Sequence, residues 1–207
     1  MGMYNEQGAA LEQPESRHMT IKKSQVGTPL SGRRQLSKLP PKDVFNDSMF
    51  MVGGWTQDDP CCLVEQFYPE YNEWRAAARM VNNRGRVAVG TLEGHIYAVG
   101  GEDAVRCYSS VERYTPDTDS WSADVAPLSS PRSGVCLVAM VGYLYAIGGH
   151  DGIAAMNTVE RYDPQMNTWS KQAAMLGRRT RAVAAVLGGH LYVIGGSDGE
   201  MALNSVS

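Results

Sequence analysis

The sequence predicts an all-β fold, and two observations carry that prediction. A segment with a diglycine, a glutamate and a tryptophan recurs along the chain, and its second glycine falls at Gly54, Gly101, Gly149 and Gly196, at spacings of 47, 48 and 47 residues. Short apolar runs rich in Val, Ile, Leu and Tyr lie between these fixed residues. Runs of this length favour strands over helices, and self-similarity at such a period indicates a repeat architecture.

Each repeat contains four apolar runs bounded by turn residues. In the second copy they read RVAVGTL, HIYAVGG, SVERYTP and SWSAD. A proline (Pro69, Pro116 or Pro164) follows the third run, where it can end a strand and begin a turn. Four strands per period of this length are typical of a β-propeller blade, so the fold class is predicted to be a β-propeller.

The repeats divide the chain into two predicted regions. Full periods are expected at residues 48–94, 95–142 and 143–189, with a truncated one at 190–207. Residues 1–47 are rich in Gly, Pro, Ser, Gln and charge, which predicts a disordered or weakly ordered leader. Three blades and a fragment cannot close a ring of about four to eight blades, so we expect an incomplete propeller with unpaired strand edges. Such a chain would be a truncated or alternatively spliced product, or would come from an incomplete gene model.

Several residue types recur in every period and are interpreted as structural. Glycine tolerates unusual backbone angles and lets neighbouring backbones approach closely, which suits the crowded end of a strand. The repeated Arg and Glu residues predict structural ion pairs, although position 207, where the period predicts a Glu, is Ser207. The predicted structural residues are Gly53, Gly54, Gly100, Gly101, Gly148, Gly149, Gly195, Gly196, Glu65, Glu112, Glu160, Trp74, Trp121, Trp169, Arg84, Arg132 and Arg179.

The motifs of several catalytic classes are missing from the sequence. No diglycine belongs to G-x-x-x-x-G-K-[ST] or G-x-G-x-x-G, the glycine loops that cradle phosphates. No H-x-x-x-H or C-x-x-C is present. Gly195 to Gly199 fits G-x-S-x-G, but it belongs to a repeated diglycine with no helix predicted after it, so it is not the elbow of a serine nucleophile. We therefore expect no catalytic residue, no metal site and no cofactor, and we do not expect an enzyme.

Composition limits the partners and the compartment. The net charge is −3, and residues 48–207 carry 12 basic and 17 acidic side chains, which argues against nucleic-acid binding. No apolar run is long enough for a membrane span or a secretory signal. The four cysteines form no disulfide framework, so a cytoplasmic protein with reduced thiols is expected.

The order Gly-Gly, Glu-x-Tyr, Trp at about 47 residues resembles the kelch repeat. The strings NTVERYDPQMNTW and LYAIGGHDG resemble the kelch-like, or BTB-kelch, proteins, and SADVAPLSSPRSGVCLV resembles their diablo-like branch. This resemblance implies a six-bladed propeller that binds a protein substrate, behind a BTB domain that recruits a cullin ubiquitin ligase. Residues 1–47 are too short for a BTB domain, so the cullin would be reached only through a domain absent here.

The resemblance leaves other functions open. Some kelch-like proteins bind actin, and a chain without a BTB domain could act as a competitor or have no function. A copper oxidase also uses this fold, but its metal would need Tyr, His and Cys ligands that converge on one point.

Binding in repeat proteins tends to use loop positions that vary against a constant frame. Two such positions, after each diglycine and after each repeated Arg, are implied by the resemblance to face a partner. The predicted partner-binding residues are Trp55, Arg86, Glu102, Ser133, His150, Thr180 and Arg181. The two guanidinium groups suit an acidic or phosphorylated segment, and Trp55 suits an apolar anchor. Solvated arginines and a Trp packed under a loop are the structural alternatives.

Overall fold

The computed structural model describes residues 48–57 and 59–207, and the predicted leader at residues 1–47 lies outside them. These described residues form fifteen short strands and no α-helix, which confirms the predicted all-β class. The strands are β1 Met49–Val52, β2 Trp55–Thr56, β3 Asp59–Pro60, β4 Val64–Tyr68, β5 Glu73–Ala76, β6 Ala88–Leu92, β7 His95–Val99, β8 Val111–Thr115, β9 Ser120–Ser122, β10 Cys136–Met140, β11 Tyr143–Ile147, β12 Val159–Asp163, β13 Thr168–Gln172, β14 Val183–Leu187 and β15 His190–Ile194.

The strands form four successive antiparallel sheets and one small hairpin. Sheet 1 has the order β1-β4-β5, sheet 2 β6-β7-β8-β9, sheet 3 β10-β11-β12-β13 and sheet 4 β14-β15. The hairpin β2-β3 lies between β1 and β4. Ile194, at the end of β15, also pairs with Val206. Sheets 2 and 3 have the four strands of a propeller blade, so the described part of the chain is an incomplete propeller.

The turn chemistry of each sheet follows from its sequence. The first two strands of sheet 2 are joined by Glu93 and Gly94, both at positive φ (50° and 75°), which is the backbone of a two-residue hairpin turn. The third strand ends before Pro116, which begins a short 3-10 turn, Pro116–Thr118. Asp119 follows this turn with a left-handed φ of 44°, and the fourth strand begins at the next residue. Proline and a short polar residue therefore set this corner.

The sheets do not begin at the same residues as the repeats predicted from the sequence. The first strands of sheets 2, 3 and 4 (β6, β10 and β14) lie at the end of one predicted repeat, whereas the remaining strands of each sheet lie in the following repeat. A periodic pattern does not specify where a unit begins, so either frame describes the same array. Each predicted repeat therefore contains the later strands of one sheet and the first strand of the next sheet.

The core lies between successive sheets. Ala88 and Leu92 of β6 pack in one buried cluster with Leu144 and Ala146 of β11, so the inner strands of sheets 2 and 3 face each other. The last residue of the second strand is fully buried in sheets 2 and 3, where Val99 is 0% and Ile147 1% exposed. Its counterpart in sheet 4, Ile194, is 46% exposed, because sheet 4 has a neighbouring described sheet on one side only.

Candidate functional site

A buried ion pair anchors sheet 2 to the loop that precedes it. Arg84 donates from Nε to Oε1 of Glu112 in β8 at 3.0 Å, and both side chains are fully buried. The same guanidinium donates from Nη1 to the carbonyl oxygens of Gly100 and Ser110, at 2.6 and 3.0 Å. Removing one partner of such a pair leaves an uncompensated buried charge, so this contact organises the sheet.

Sheet 3 repeats this arrangement. Arg132 donates from Nη2 to Oε1 of Glu160 at 2.6 Å and from Nη1 to the carbonyl oxygens of Gly148 and Thr158. The second oxygen of Glu160 accepts the backbone N–H of Ser129 at 2.9 Å. The repeated Arg and Glu therefore hold the loops at one end of sheets 2 and 3.

The first and fourth sheets depart from this pattern. Glu65, in β4, is half-buried and has no ion pair within the described residues. Arg179 has no carboxylate partner there either, and donates instead to the hydroxyl of Ser207 at 2.9 Å. Ser207 thus occupies the position that Glu112 and Glu160 occupy in sheets 2 and 3.

The repeated tryptophans join each sheet to the one before it. The indole N–H of Trp121 donates to the carbonyl of Ala78, and that of Trp169 donates to the carbonyl of Ala126, both at 2.8 Å. Trp74 is exposed and packs on Phe67 of its own sheet. The tryptophans of sheets 2 and 3 therefore have an intersheet role that Trp74 lacks within the described residues.

The repeated diglycines bring loops of neighbouring sheets together. All eight of these glycines have positive φ. Gly101 donates its N–H to the carbonyl of Arg132 at 2.8 Å, and Gly149 does so to Arg179 at 2.8 Å. A Cβ on Gly101 would lie 2.8 Å from the carbonyl oxygen of Gly85, so only glycine fits here.

This arrangement pairs the two variable loop positions in the sequence. The residue after the second, third and fourth diglycine forms an antiparallel bridge with the residue after a repeated Arg. The pairs are Gly85 with Glu102, Ser133 with His150 and Thr180 with Ser197. Backbone geometry that is the same in every sheet therefore displays side chains that differ.

Six of the seven predicted partner-binding residues line one cleft of about 200 Å³, which we call the rim cleft. Its lining is Arg86, Glu102, Cys107, Ser133, His150, Gly152, Thr180 and Arg181. Cys107 and Gly152 are the lining residues that sequence reasoning missed, because they lie in loops with no repeated signal. Trp55, the seventh, is 41% exposed and lies over Gly85, where an added Cβ would clash with its indole.

The two arginines of the rim cleft have the same backbone conformation and different electrostatic environments. Arg86 and Arg181 have φ of 47° and 55°, and the equivalent residue of the intervening sheet is Gly134 at 56°. Arg86 pairs from Nη1 with Oε1 of Glu102 at 2.6 Å. Arg181 is exposed and has no ion pair within the described residues, so its guanidinium is the cleft's available cation.

Neutral donors and acceptors complete the rim cleft. Burial raises the pKa of the Cys107 thiol, so this residue is a neutral thiol at physiological pH. The hydroxyl-bearing residues Ser133 and Thr180 are buried in the cleft wall. His150 accepts the N–H of Gly152 on Nδ1 at 3.1 Å.

Aspartates hold the loops that follow the diglycines. Asp103 accepts the hydroxyl of Tyr108 at 2.5 Å and the backbone N–H groups of Val105 and Arg106, and these bonds lower its pKa to about 2. Two loop tips beyond the diglycines are apolar and almost fully exposed, Val105 at 91% and Ile153 at 92%. An apolar residue at the tip of a polar loop is a signal that sequence reasoning could have used and did not.

Three further properties of the described region concern metals, thiols and membranes. No group of three or more His, Cys, Asp or Glu side chains there could hold a metal ion. All four cysteines are free, and Cys136 is buried with its pKa raised to about 11 by burial. Residues 48–57 and 59–207 contain no helix with the length and apolarity needed to span a bilayer.

A family model described as the kelch motif matches residues 83–123, 131–176 and 178–207, which is more than half of the chain. The chain belongs to the kelch-motif family. All three matched segments carry a buried Arg and a diglycine, and the first two also carry the Trp. The resemblance to kelch-like proteins seen in the sequence is confirmed.

Named relatives support the same conclusion. Kelch-like protein 23 of Mus musculus is 32% identical over 95 residues, which cover 45% of this kelch chain and 16% of the relative. Kelch-like protein 35 of Mus musculus is 42% identical over 65 residues, which cover 31% of this chain and 11% of the relative. The chain therefore matches less than one fifth of the length of these relatives.

A solved structure shares the fold. The protein described as "Structure of YjhT" superposes with a TM-score of 0.62 at 16% identity, over 71% of this chain and 58% of that chain. At this identity the similarity concerns the fold alone.

Proposed function

We propose that this kelch chain is a protein-binding module whose rim cleft captures an acidic or phosphorylated segment of a partner protein. The observation that carries the proposal is the exposed, unpaired guanidinium of Arg181 in the cleft. A guanidinium matches a carboxylate or phosphate through two parallel hydrogen bonds. Binding is noncovalent, and we propose that the chain is not an enzyme.

The backbone at Arg181 supports a role beyond solvation. A non-glycine residue in the left-handed region costs roughly 1–2 kcal/mol, and the equivalent residue of the previous sheet is Gly134. The fold therefore accommodates glycine at this position. An arginine held in a costly conformation on a cleft is a candidate for function.

Glu102 tunes which acidic segment fits. Its carboxylate already occupies the guanidinium of Arg86, at 2.6 Å, so Arg86 is neutralised in the unbound cleft. An incoming anion meets one available cation, Arg181, next to the buried Ser133 and Thr180 of the cleft wall. The proposed ligand therefore has one principal acidic group at the cleft, and a second acid would have to displace Glu102.

Apolar contacts next to the cleft would add affinity. Ile153 follows Gly152 of the cleft wall and is almost fully exposed, and Val105 precedes Cys107 in the equivalent loop of the previous sheet. Trp55 stands on the neighbouring hairpin, 41% exposed. Aromatic and aliphatic groups of this kind anchor interfaces around a polar contact. We propose that the captured segment carries an apolar residue beside its acidic group.

The kelch-like relatives suggest the cellular setting. We propose that the module recognises substrates for a cullin-RING ubiquitin ligase in the cytoplasm, with ubiquitination carried out by other subunits. The cullin would be engaged through a BTB domain and not through these repeats. Overproduction of this chain alone would then compete with a full adaptor for its substrate.

A selection from a random peptide library displayed on phage tests the proposed binding. We expect peptides selected on the wild-type chain to be enriched in Asp and Glu next to an apolar residue. Arg181→Ala should lower their affinity at least tenfold, which corresponds to the loss of about 1.4 kcal/mol. Arg75→Ala is the matched control, since Arg75 is an exposed arginine of β5 that pairs with Glu73 away from the cleft.

Two outcomes would contradict the proposal. Selected peptides without acidic residues would show that the cleft does not bind acidic groups selectively. Equal binding by wild type and Arg181→Ala would place the binding surface elsewhere. Co-sedimentation with actin filaments, unaffected by Arg181→Ala, would support the actin-binding alternative.

A further inference from the structure

Three equivalent backbone positions at the rim cleft carry different side chains. Arg86, Gly134 and Arg181 lie just before the first strands of sheets 2, 3 and 4, each with a left-handed φ between 47° and 56°. The N–H of Gly134 donates to the carbonyl of Arg86 at 3.0 Å, and the N–H of Arg181 donates to the carbonyl of Gly134 at 2.7 Å. The two arginines are therefore two hydrogen-bonded steps apart, with a glycine between them.

The glycine at the middle position leaves room for the Arg181 side chain. A Cβ on Gly134 would lie 3.1 Å from Cγ of Arg181 and 2.8 Å from the hydroxyl oxygen of Thr180. The stem of Arg181 therefore lies next to the Cα of Gly134, and Arg181 lines the same cleft as Arg86 and Glu102. Because this cleft has a volume of only about 200 Å³, an anion on Arg181 would be close to the carboxylate of Glu102.

The residue across the backbone bridge determines whether each guanidinium is available. Glu102 bridges to the residue before Arg86, and its carboxylate pairs with that arginine. Ser197 bridges to the residue before Arg181, and its hydroxyl accepts the N–H of Gly199 at 3.1 Å. One bridge therefore supplies a negative charge to its arginine, and the other supplies a neutral hydroxyl that is bound to its own loop.

The carboxylate of Glu102 remains a strong local charge although it is paired. Its side chain is 14% exposed, so water and salt screen it less than they screen a surface carboxylate. Asp151 adds a negative charge beside the cleft wall, because the bonds that it accepts from the N–H groups of Ala154 and Ile153 lower its pKa. Among the residues that line the cleft, Arg181 is the one arginine without an ion pair. A ligand with more than one negative charge therefore finds no second guanidinium available.

We infer that the rim cleft selects a carboxylate over a phosphate, and that Glu102 is the residue that sets this selectivity. The inference rests on the proposed function and names which of the two acidic groups the cleft takes. An Asp or Glu side chain brings one negative charge, which one guanidinium matches through two parallel hydrogen bonds. A phosphoserine brings roughly 1.5 to 2 negative charges at pH 7, so part of its charge would face Glu102 without a cation of its own.

Glu102→Gln should change this selectivity without changing the size of the side chain. The variant removes the charge that repels the ligand and releases the guanidinium of Arg86. Two arginines then face the ligand, and clusters of arginines are what phosphate-recognising proteins use. Glu102→Asp keeps the charge and is the matched control. Ser197→Glu makes the opposite change, because it places a carboxylate at the bridge next to Arg181.

Calorimetric titration with three forms of one peptide tests the inference. An acidic peptide selected on the wild-type chain is synthesised with Glu, phosphoserine or Gln at its acidic position. Since the peptide was selected with a carboxylate, the decisive quantity is the ratio of the phosphoserine affinity to the Glu affinity, compared between proteins. We expect this ratio to rise about tenfold from wild type to Glu102→Gln and to stay within about twofold in Glu102→Asp. Ser197→Glu should lower the affinity for both charged peptides about tenfold.

Two results would overturn the inference. A ratio that is the same in wild type and Glu102→Gln would show that Glu102 does not set the selectivity. Tighter binding of the phosphoserine peptide than of the Glu peptide by wild type would show that the cleft favours phosphate. In both cases the proposed function stands if the Gln peptide binds wild type more weakly than the charged peptides do. Equal affinities of wild type for the Glu and Gln peptides would overturn the proposed function and the inference together.

Discussion

Arg181 combines an unfavourable backbone with an available charge. Its φ of 55° matches that of Gly134 in the previous sheet, and its guanidinium is exposed in the rim cleft. Side chains in this conformation are held by their surroundings at a cost in free energy. Folding stability therefore favours glycine at position 181, whereas the proposed binding needs the arginine side chain.

Arg181→Gly should separate these two demands. Glycine relieves the left-handed strain, and part of that gain is lost to the greater freedom of the unfolded chain, so we expect a net stabilisation of up to about 1 kcal/mol. The same variant should lose the acidic peptides selected on wild type. Urea unfolding measures the first effect, and Arg75→Gly, within strand β5, should destabilise by about 0.5–1 kcal/mol as the control. A destabilised Arg181→Gly would contradict the strain argument.

Asp103 sets the pH range in which its loop is held. Its folded pKa is lowered to about 2, first by the hydroxyl of Tyr108 and then by two backbone N–H groups. A carboxyl with a lowered folded pKa stabilises the fold above its unfolded pKa, and this contribution is lost as pH falls from about 4 to 2. The ¹³C carboxyl titration of Asp103 should therefore have its midpoint near pH 2.

Tyr108→Phe tests the first cause of this shift. The variant should raise the pKa of Asp103 toward its ordinary value, because two backbone bonds alone then hold the carboxylate. Asp151 is the internal control, since its pKa is lowered by the backbone N–H groups of Ala154 and Ile153. An unchanged titration of Asp103 in Tyr108→Phe would show that the backbone bonds dominate.

At the scale of elements, the junction between two sheets repeats as a unit. The carbonyl of Ala126 accepts from Trp169, and its N–H donates to Asn167. Trp121 makes the same bond to Ala78 one junction earlier. Each outer strand is thereby attached to the loop after the preceding sheet.

Trp169→Phe should break one such junction. The ring packing on Tyr162 at 5.1 Å is kept, while the indole donor to Ala126 is lost, so we expect a cost of about 0.5–1.5 kcal/mol in urea unfolding. Trp74→Phe is the matched control, because the Trp74 indole has no hydrogen-bond partner within the described residues and packs on Phe67 in the same way. Equal costs for both variants would show that the intersheet bond contributes nothing.

At the scale of the whole molecule, the sheets stabilise one another in a linear order. Sheets 2 and 3 have a described sheet on each side, and sheet 4 has one on a single side only. In such arrays stability is approximately a sum of unit and neighbour terms, so it is not uniform along the chain. The apolar residues of sheet 4, such as Ile194, are more exposed than their counterparts.

Hydrogen exchange followed by mass spectrometry should reveal this gradient. We expect the amides of β7 and β11, which pair with a strand on each side, to exchange slowest. Those of β14 and β15, which form a two-stranded sheet, should exchange much faster, although all four strands are five residues long. Equal protection of β11 and β15 would show that another part of the protein or a second copy covers sheet 4.

Much of the fold was predictable because it is encoded locally and repeated. The four apolar runs of the second copy coincide with β6 to β9, and the prolines mark the ends of the third strands. The variable loop positions were also visible, since an alignment of the repeats with one another separates constant from changing residues. Six of the seven residues chosen this way line one cleft.

The sequence by itself determined the strands, the period and the constant frame of Gly, Arg, Glu and Trp. Only the tertiary structure decided which side chains meet. It paired Arg86 with Glu102, left Arg181 available, added Cys107 to the rim cleft and placed Trp55 over Gly85. The physical reason is that a period specifies backbone hydrogen bonds, which are the same in every repeat. Side-chain contacts depend instead on the loops of neighbouring sheets, which no single repeat contains.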